Sequence, residues 1–183
     1  MSRAVFITMT ALAAVFIAAQ SVAQQSNLTK EFAKNYDPFS DLPDGPPSPA
    51  DPNDVAQVRA GNILYAEHCA DCHGGALEGA ENWRDFEVGG AHPPPPHDDT
   101  GHTWHHSDKQ LFEYVKLGGE ELFKDFPDIV SNMPGFGDEL SNEEIWAIFA
   151  FIKSTWSDEN LKWQKGASKL DKLPEEYLPE DRQ

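Results

Sequence analysis

The sequence predicts a mostly α domain with irregular loops and extended segments at both ends. Three stretches combine capping residues with apolar positions at three- and four-residue steps, and none alternates with period two over a useful length. The chain's 183 residues leave room for one domain of ordinary size plus extensions. A mean hydropathy of -0.55 excludes a protein built of several membrane spans.

Residues 1–23 read as an export signal. Ser2 and Arg3 precede the apolar run AVFITMTALAAVFIAA, and Ser21 and Ala23 give the small-x-small pattern that places cleavage after Ala23. The alternative is an uncleaved anchor, because Ala4 to Ala23 approaches the ~20 residues that span a bilayer, although Gln20 and Ser21 weaken it. No cysteine follows the run, so lipid attachment at a new N-terminal cysteine is excluded. Residues 24–51 form a Pro-rich acidic linker or wrapping arm. The stretch DPFSDLPDGPPSPADP holds six prolines, whose fixed φ and missing N–H groups oppose regular structure.

Helical signals begin at Asp51, which can cap a helix with Pro52 at its first position and Asp54 in its first turn. In VAQVRAGNILYAEHC, Val58, Gly61, Tyr65 and Cys69 share one face. Gly61 costs about 1 kcal/mol relative to Ala inside a helix, so it marks either a close helix crossing or a tolerated surface glycine. A second helix is signalled by SDKQLFEYVKLGG: Ser107 and Gln110 form a capping box, Leu111, Phe112, Val115 and Leu117 supply the apolar side, and Gly118 ends it. The third, SNEEIWAIFAFIKSTW, repeats the box with Ser141 and Glu144 and buries Ile145, Ile148, Phe149 and Ile152, with Phe151 beside them. The α domain thus spans residues 52–155. Residues 156–183 are a charged C-terminal extension. Its start suits a short helix, Leu161 and Trp163 can pack on the domain, Pro174 and Pro179 suggest extended chain, and the simplest expectation is a solvated tail.

Fourteen basic against 31 acidic residues give a net charge of -17, which excludes the Lys and Arg clusters of a nucleic-acid binder. Removing residues 1–23 takes away Arg3 alone among charges, leaving 13 basic and 31 acidic residues and a charge of -18. The natural complement is a partner with a basic face. Membrane association enters only through an uncleaved N-terminal segment or a membrane-bound complex.

The two cysteines stand in EHCADCHGG, and the second is followed at once by a histidine. A C-x-x-C pair serves a redox dithiol, half of a zinc site, or haem attachment. The dithiol belongs in a βαβ pattern, which is missing here, and zinc needs two further ligands from the seven histidines. Haem attachment accounts for the adjacent histidine: each thiol forms a thioether with a haem vinyl group, and the histidine reaches the iron. Cys69 and Cys72 then anchor one covalent haem c, and His73 ligates it. Among methionines, Met1 and Met9 fall in the export signal, which leaves Met133 in SNMPGFGDEL for the opposite axial position. A lone methionine is ordinarily core packing. Flanked by Asn132, Pro134, Gly135 and Gly137, Met133 stands in poor core sequence and good ligand-loop sequence; a histidine or a vacant position are the alternatives.

The succession GNILYAEHCADCH, a capped helix ending at Gly118, MPGF, and LSNEEIWAIFAFIKS resembles the monohaem class I c-type cytochromes. Gly61 and Tyr65 match that family's spacing of a glycine and an aromatic before the C-x-x-C-H motif. The resemblance implies a cytochrome c-like helical domain wrapped around one covalently attached haem. Its first and last helices would cross near Gly61, with Ile148 and Phe151 as the last helix's aliphatic and aromatic residues. It further implies ligation by His73 and Met133 and periplasmic electron transfer without catalysis, as a soluble carrier or a cytochrome subunit of a redox complex. The other function classes are a haem enzyme with a displaceable sixth ligand and a periplasmic copper- or zinc-binding protein.

One region departs from a small cytochrome: GGAHPPPPHDDTGHTWHHSD, residues 89–108. A more specific likeness is to proteobacterial cytochromes with a similar Pro-rich PPH and TGHTWHH loop. Its five histidines, with Asp98 and Asp99, can bind copper or zinc. The simpler reading is a loop that satisfies its own backbone and meets the haem propionates, with Trp104 as one donor; a docking surface is the third. Pro93 to Pro96 stiffen the chain between His92 and His97 and limit how those two converge. His68, beside Cys69, reads as a solvated helix residue.

Overall fold

Five α-helices order the described residues: α1 (Val55–His68), α2 (Ala70–His73), α3 (Asp108–Leu122), α4 (Asn142–Lys153) and α5 (Asp158–Leu170). The structure is a computed structural model describing residues 37–45, 47–85 and 90–182; the expected export signal (1–23) and residues 24–36 of the arm lie outside the described residues. The unit from Phe39 onward is mostly helical, and its β-structure among the described residues is one isolated parallel bridge between Ala91 and Val130. No helix among the described residues is long and apolar enough to cross a membrane.

Helix α1 begins later than Asp51 suggests. The Asp51 carboxylate accepts the Asn53 N–H (2.9 Å) in a local turn. Asp54 is the cap instead, its Oδ1 taking the N–H groups of Ala56 (2.9 Å) and Gln57 (3.1 Å). Across its middle, α1 packs on α4 at Gly61. A Cβ there would lie 1.8 Å from the Ala147 carbonyl oxygen, so the glycine marks a helix crossing. The capping boxes form at both expected positions, Ser107 with Gln110 on α3 and Ser141 with Glu144 on α4.

Helix α4 is buried beyond the expected stripe. Trp146, Ala147, Ala150 and Lys153 join Ile145, Ile148, Phe149 and Ile152 in the interior. For Trp146 the reason is the C-terminal segment, which packs on the domain where a solvated tail was expected, whereas Ala147 is covered by α1 at Gly61. Phe112 stacks between Trp146 (4.7 Å) and Tyr177 (4.8 Å), and the Trp146 indole N–H donates to the Tyr177 carbonyl (2.7 Å). The Asn142 amide donates to the carbonyls of Glu176 (2.8 Å) and Leu178 (3.1 Å). Aromatic area buried in this way outweighs the solvation of the surrounding charges. Helix α5 lies along the 3₁₀ turn Thr103–His105, and its Gly166 lets the Phe39 ring approach to where a Cβ would sit, 1.9 Å from Cδ2.

A buried polar hub ties these segments together. Lys153 Nζ stands 2.6 Å from Asp108 Oδ1, with both side chains under one-tenth exposed. Gln164 donates to the same oxygen (2.8 Å), and Lys153 also reaches Ser48 Oγ (3.0 Å). Burial alone pushes the Asp108 carboxyl up. The Lys153 charge and hydrogen bonds from Lys153, Ser48 and Gln164 outweigh it and hold the pKa below the ordinary carboxylate value.

Candidate haem site

The C-x-x-C-H residues close on a single helical turn. The N–H groups of Cys72 (3.2 Å) and His73 (2.9 Å) both reach the Cys69 carbonyl, so the end of α1 and the whole of α2 fix the two thiols and the imidazole together. Cys69 is half-buried, and burial, then the neighbouring Cys72, pushes its thiol up to about 11. Cys72 is exposed.

His73 is buried, and its Nδ1 lies 2.9 Å from the Pro95 carbonyl oxygen. A carbonyl only accepts, so Nδ1 carries the proton and donates, which leaves Nε2 unprotonated. Burial lowers the pKa of His73, partly opposed by the bond to Pro95, so the ring is neutral and suited to bind a metal.

The proline run explains why that carbonyl is available. Prolines have no N–H to satisfy and therefore present acceptors alone. Pro94 O accepts from the Ala80 N–H (2.9 Å), Pro95 O from His73, and Pro96 O from the Thr103 hydroxyl (3.3 Å). The chain from His73 to this run turns through Gly74, Leu77 and Gly79, all at positive φ. Leu77 at φ 64 costs roughly 1–2 kcal/mol. Its burial and the bond from the His97 N–H to its carbonyl (2.9 Å) offset that strain. A left-handed leucine carries no sequence signal.

Met133 is held differently. Gly118, at φ 79 and ψ 165, breaks the helical path of α3, so that only a short turn follows it before Leu122. The freed carbonyls of Val115 and Lys116 accept the N–H groups of Phe136 (2.8 Å) and Gly137 (3.0 Å), and the Gly119 N–H donates to Met133 O (2.9 Å). A Cβ on Gly118 would stand 2.4 Å from Gly135 N. Met133 itself is half-buried against the core. His68 is not merely solvated: its ring meets Phe136 edge-on at 5.9 Å, which brings the methionine loop beside the end of α1.

In the His-rich loop His102 meets His106 edge-on at 5.4 Å, and the carboxylates are used as hydrogen-bond acceptors. The Asp98 carboxylate takes the Thr100 N–H (2.8 Å) and hydroxyl (2.6 Å), while Asp99 takes the Ser157 N–H (2.9 Å) and the Asn160 amide (2.8 Å) at the start of α5. Among the described residues no three His, Cys, Asp or Glu side chains form a group able to hold a metal ion. His102 stacks on Trp83 (5.4 Å), and the Arg84 guanidinium lies 3.9 Å from the same indole's ring centre. Among the described residues, two buried side-chain atoms have no hydrogen-bond partner, His102 Nδ1 and Trp104 Nε1. The Trp104 indole nitrogen can only donate, an orphaned buried donor is costly, and an acidic group of a bound cofactor would satisfy it. With two thiols and a neutral imidazole on one turn and a thioether on a pinned loop, the donor set fits haem c.

A helical domain built around a C-x-x-C-H turn is that of a monohaem class I c-type cytochrome. Residues 56–152, just over half of the chain, match the family described as cytochrome c oxidase, cbb3-type, subunit III, and the chain belongs to that family. Its members carry covalently bound haem c, and the single attachment motif corresponds to one haem. No curated protein matches the chain significantly in sequence. A similar solved structure is cytochrome CL from the marine methylotrophic bacterium Methylophaga aminisulfidivorans MPT, 24% identical, with 78% of this chain and 90% of that chain covered and a TM-score of 0.45.

Proposed function

We propose that this chain carries single electrons in the periplasm, as a soluble carrier or a cytochrome subunit of a redox complex, with Cys69 and Cys72 as attachment residues and His73 and Met133 as the residues that would hold the haem iron. The observation that supports this most directly is the pair of donors anchored by backbone: His73 against Pro95 O, and Met133 on a loop bonded to the end of α3. When bound, the haem supplies a one-electron iron couple. Were His73 and Met133 both to hold the iron, they would leave it no open position for substrate, and the domain would tune a potential and pass electrons without catalysing. Thioether sulfur is soft and favours the reduced metal, so Met133→His lowers the potential.

Export with cleavage after Ala23 leaves the charge of -18, which steers a redox partner with a basic face and repels an acidic one. The decisive experiment is mass spectrometry of periplasmically expressed protein under denaturing conditions, with the ferric visible spectrum of wild type and Met133→Ala. One haem stays attached, and a weak long-wavelength sulfur-to-iron band is present in wild type and lost in the variant. Haem that extracts into acidified organic solvent refutes attachment through Cys69 and Cys72; a band that survives in Met133→Ala refutes that ligand.

A further inference from the structure

We propose that His97 is a positioning residue for His73, a second and non-ligating imidazole that packs on the ring of the proposed iron ligand and fixes the orientation of its plane. The inference rests on the ligation by His73 proposed above. The two ring centres lie 4.1 Å apart with the planes inclined at 38°. On its other contact, His97 meets Tyr65 edge-on at 6.0 Å, and Tyr65 is itself fully buried, in contact with Phe151 at 5.4 Å.

His97 is held at every polar atom the structure pairs. Its backbone N–H donates to Leu77 O (2.9 Å), and its carbonyl accepts from the Trp156 indole N–H (2.8 Å). In the ring, Nδ1 lies 3.1 Å from Thr103 Oγ1, and Thr103 gives its single hydroxyl proton to Pro96 O (3.3 Å). Nδ1–H of His97 is therefore the donor, and a chain of two hydrogen bonds runs from His97 through Thr103 to the proline run.

The physical need is specific. The bond from His73 Nδ1 to Pro95 O fixes one edge of the ring but leaves it free to rock about that bond. A flat group held against the face removes the remaining freedom. Groups around a ligating histidine that set its orientation in this way tune the metal it binds. The same four-proline strut serves both rings, through Pro95 O for His73 and Pro96 O for the Thr103 link to His97.

The test is low-temperature electron paramagnetic resonance of ferric holoprotein for wild type, His97→Ala, His97→Phe, Thr103→Val and Thr103→Ser. His97→Ala shifts the largest g value and broadens its line, because His73 samples several plane orientations. His97→Phe keeps the wild-type position, since a ring still covers the face. Thr103→Val broadens the line by less than His97→Ala, and Thr103→Ser restores the wild-type width. The proposal is overturned if His97→Ala, folded and low-spin, matches the wild type in position and width, or if His97→Phe shifts as far as His97→Ala. Should His97→Ala yield no holoprotein, a wild-type line in Thr103→Val overturns it equally. Failure of His73 ligation is seen separately: His73→Ala would retain the low-spin signal of the wild type.

Discussion

Pro93–Pro96 and Gly135–Gly137 each fix one proposed ligand, with opposite residue types. The proline run is a preformed strut that contributes carbonyls and needs nothing in return, and three of them receive bonds from Ala80, His73 and Thr103. The glycine loop contributes N–H groups that must approach the end of α3 closely, to the point where a Cβ on Gly135 would lie 2.6 Å from Leu117 O. The strut depends on backbone atoms that survive most substitutions. The glycine contact depends on an absence, which any side chain removes.

The largest effect should fall on both loops alike, since α3 joins them. Asp108→Ala leaves the Lys153 ammonium buried without its carboxylate and costs about 3–5 kcal/mol in urea unfolding. Pairing Asp108→Leu with Lys153→Met recovers most of that loss, because no uncompensated charge remains. A single Asp108→Ala as stable as wild type would show that the loops are not held through this hub.

The next effect separates them. Gly118→Ala forces a β-carbon onto left-handed backbone at about 1–2 kcal/mol and drives it into Gly135 N, so the cost exceeds the backbone penalty alone. The sulfur-to-iron band disappears while the covalent haem is retained. Persistence of the band in Gly118→Ala would contradict the account of how Met133 is pinned.

Acid should act on the proline side. His97, His102 and His106 are all held below the usual histidine pKa, burial being the largest cause for each. Below their unfolded-state pKa of about 6.5 the unfolded chain binds more protons, so this stability is present above that pH and is lost as the pH falls through the depressed folded values. Thermal unfolding followed from about pH 7.5 to about pH 5 should show a falling Tm. His97→Phe should flatten part of that slope.

The smallest effect is the most telling for the strut. Pro95→Ala keeps the carbonyl that His73 uses, and it should cost under about 1 kcal/mol, through chain entropy, with an unchanged ferric spectrum. Loss of the low-spin signal in this variant would mean that the ring, and not the carbonyl, holds His73.

Much of the site is legible in the sequence because its chemistry is local. The C-x-x-C-H spacing is that of one helical turn, capping boxes act within three residues, and Gly61 announces a crossing because a helix interior otherwise disfavours glycine. The cap of α1 was less legible, since Asp51 and Asp54 both offer carboxylates and only the competing Asp51 turn assigns one of them. The five clustered histidines left loop, metal site and docking surface open, and where each ring points was not legible: His97 turns toward His73 while His102 stacks on Trp83.

By itself, then, the sequence determined the helices, the attachment motif and the candidate ligands Cys69, Cys72, His73 and Met133, because each rests on neighbours within a turn or on residue chemistry. Tertiary structure alone decided the partners those residues meet across the chain. Pro95 O lies 22 residues from His73, and Tyr177 lies 31 residues from Trp146. Such contacts follow from packing a whole core, in which aromatic burial drew a charged tail inward and a proline strut turned one histidine onto another.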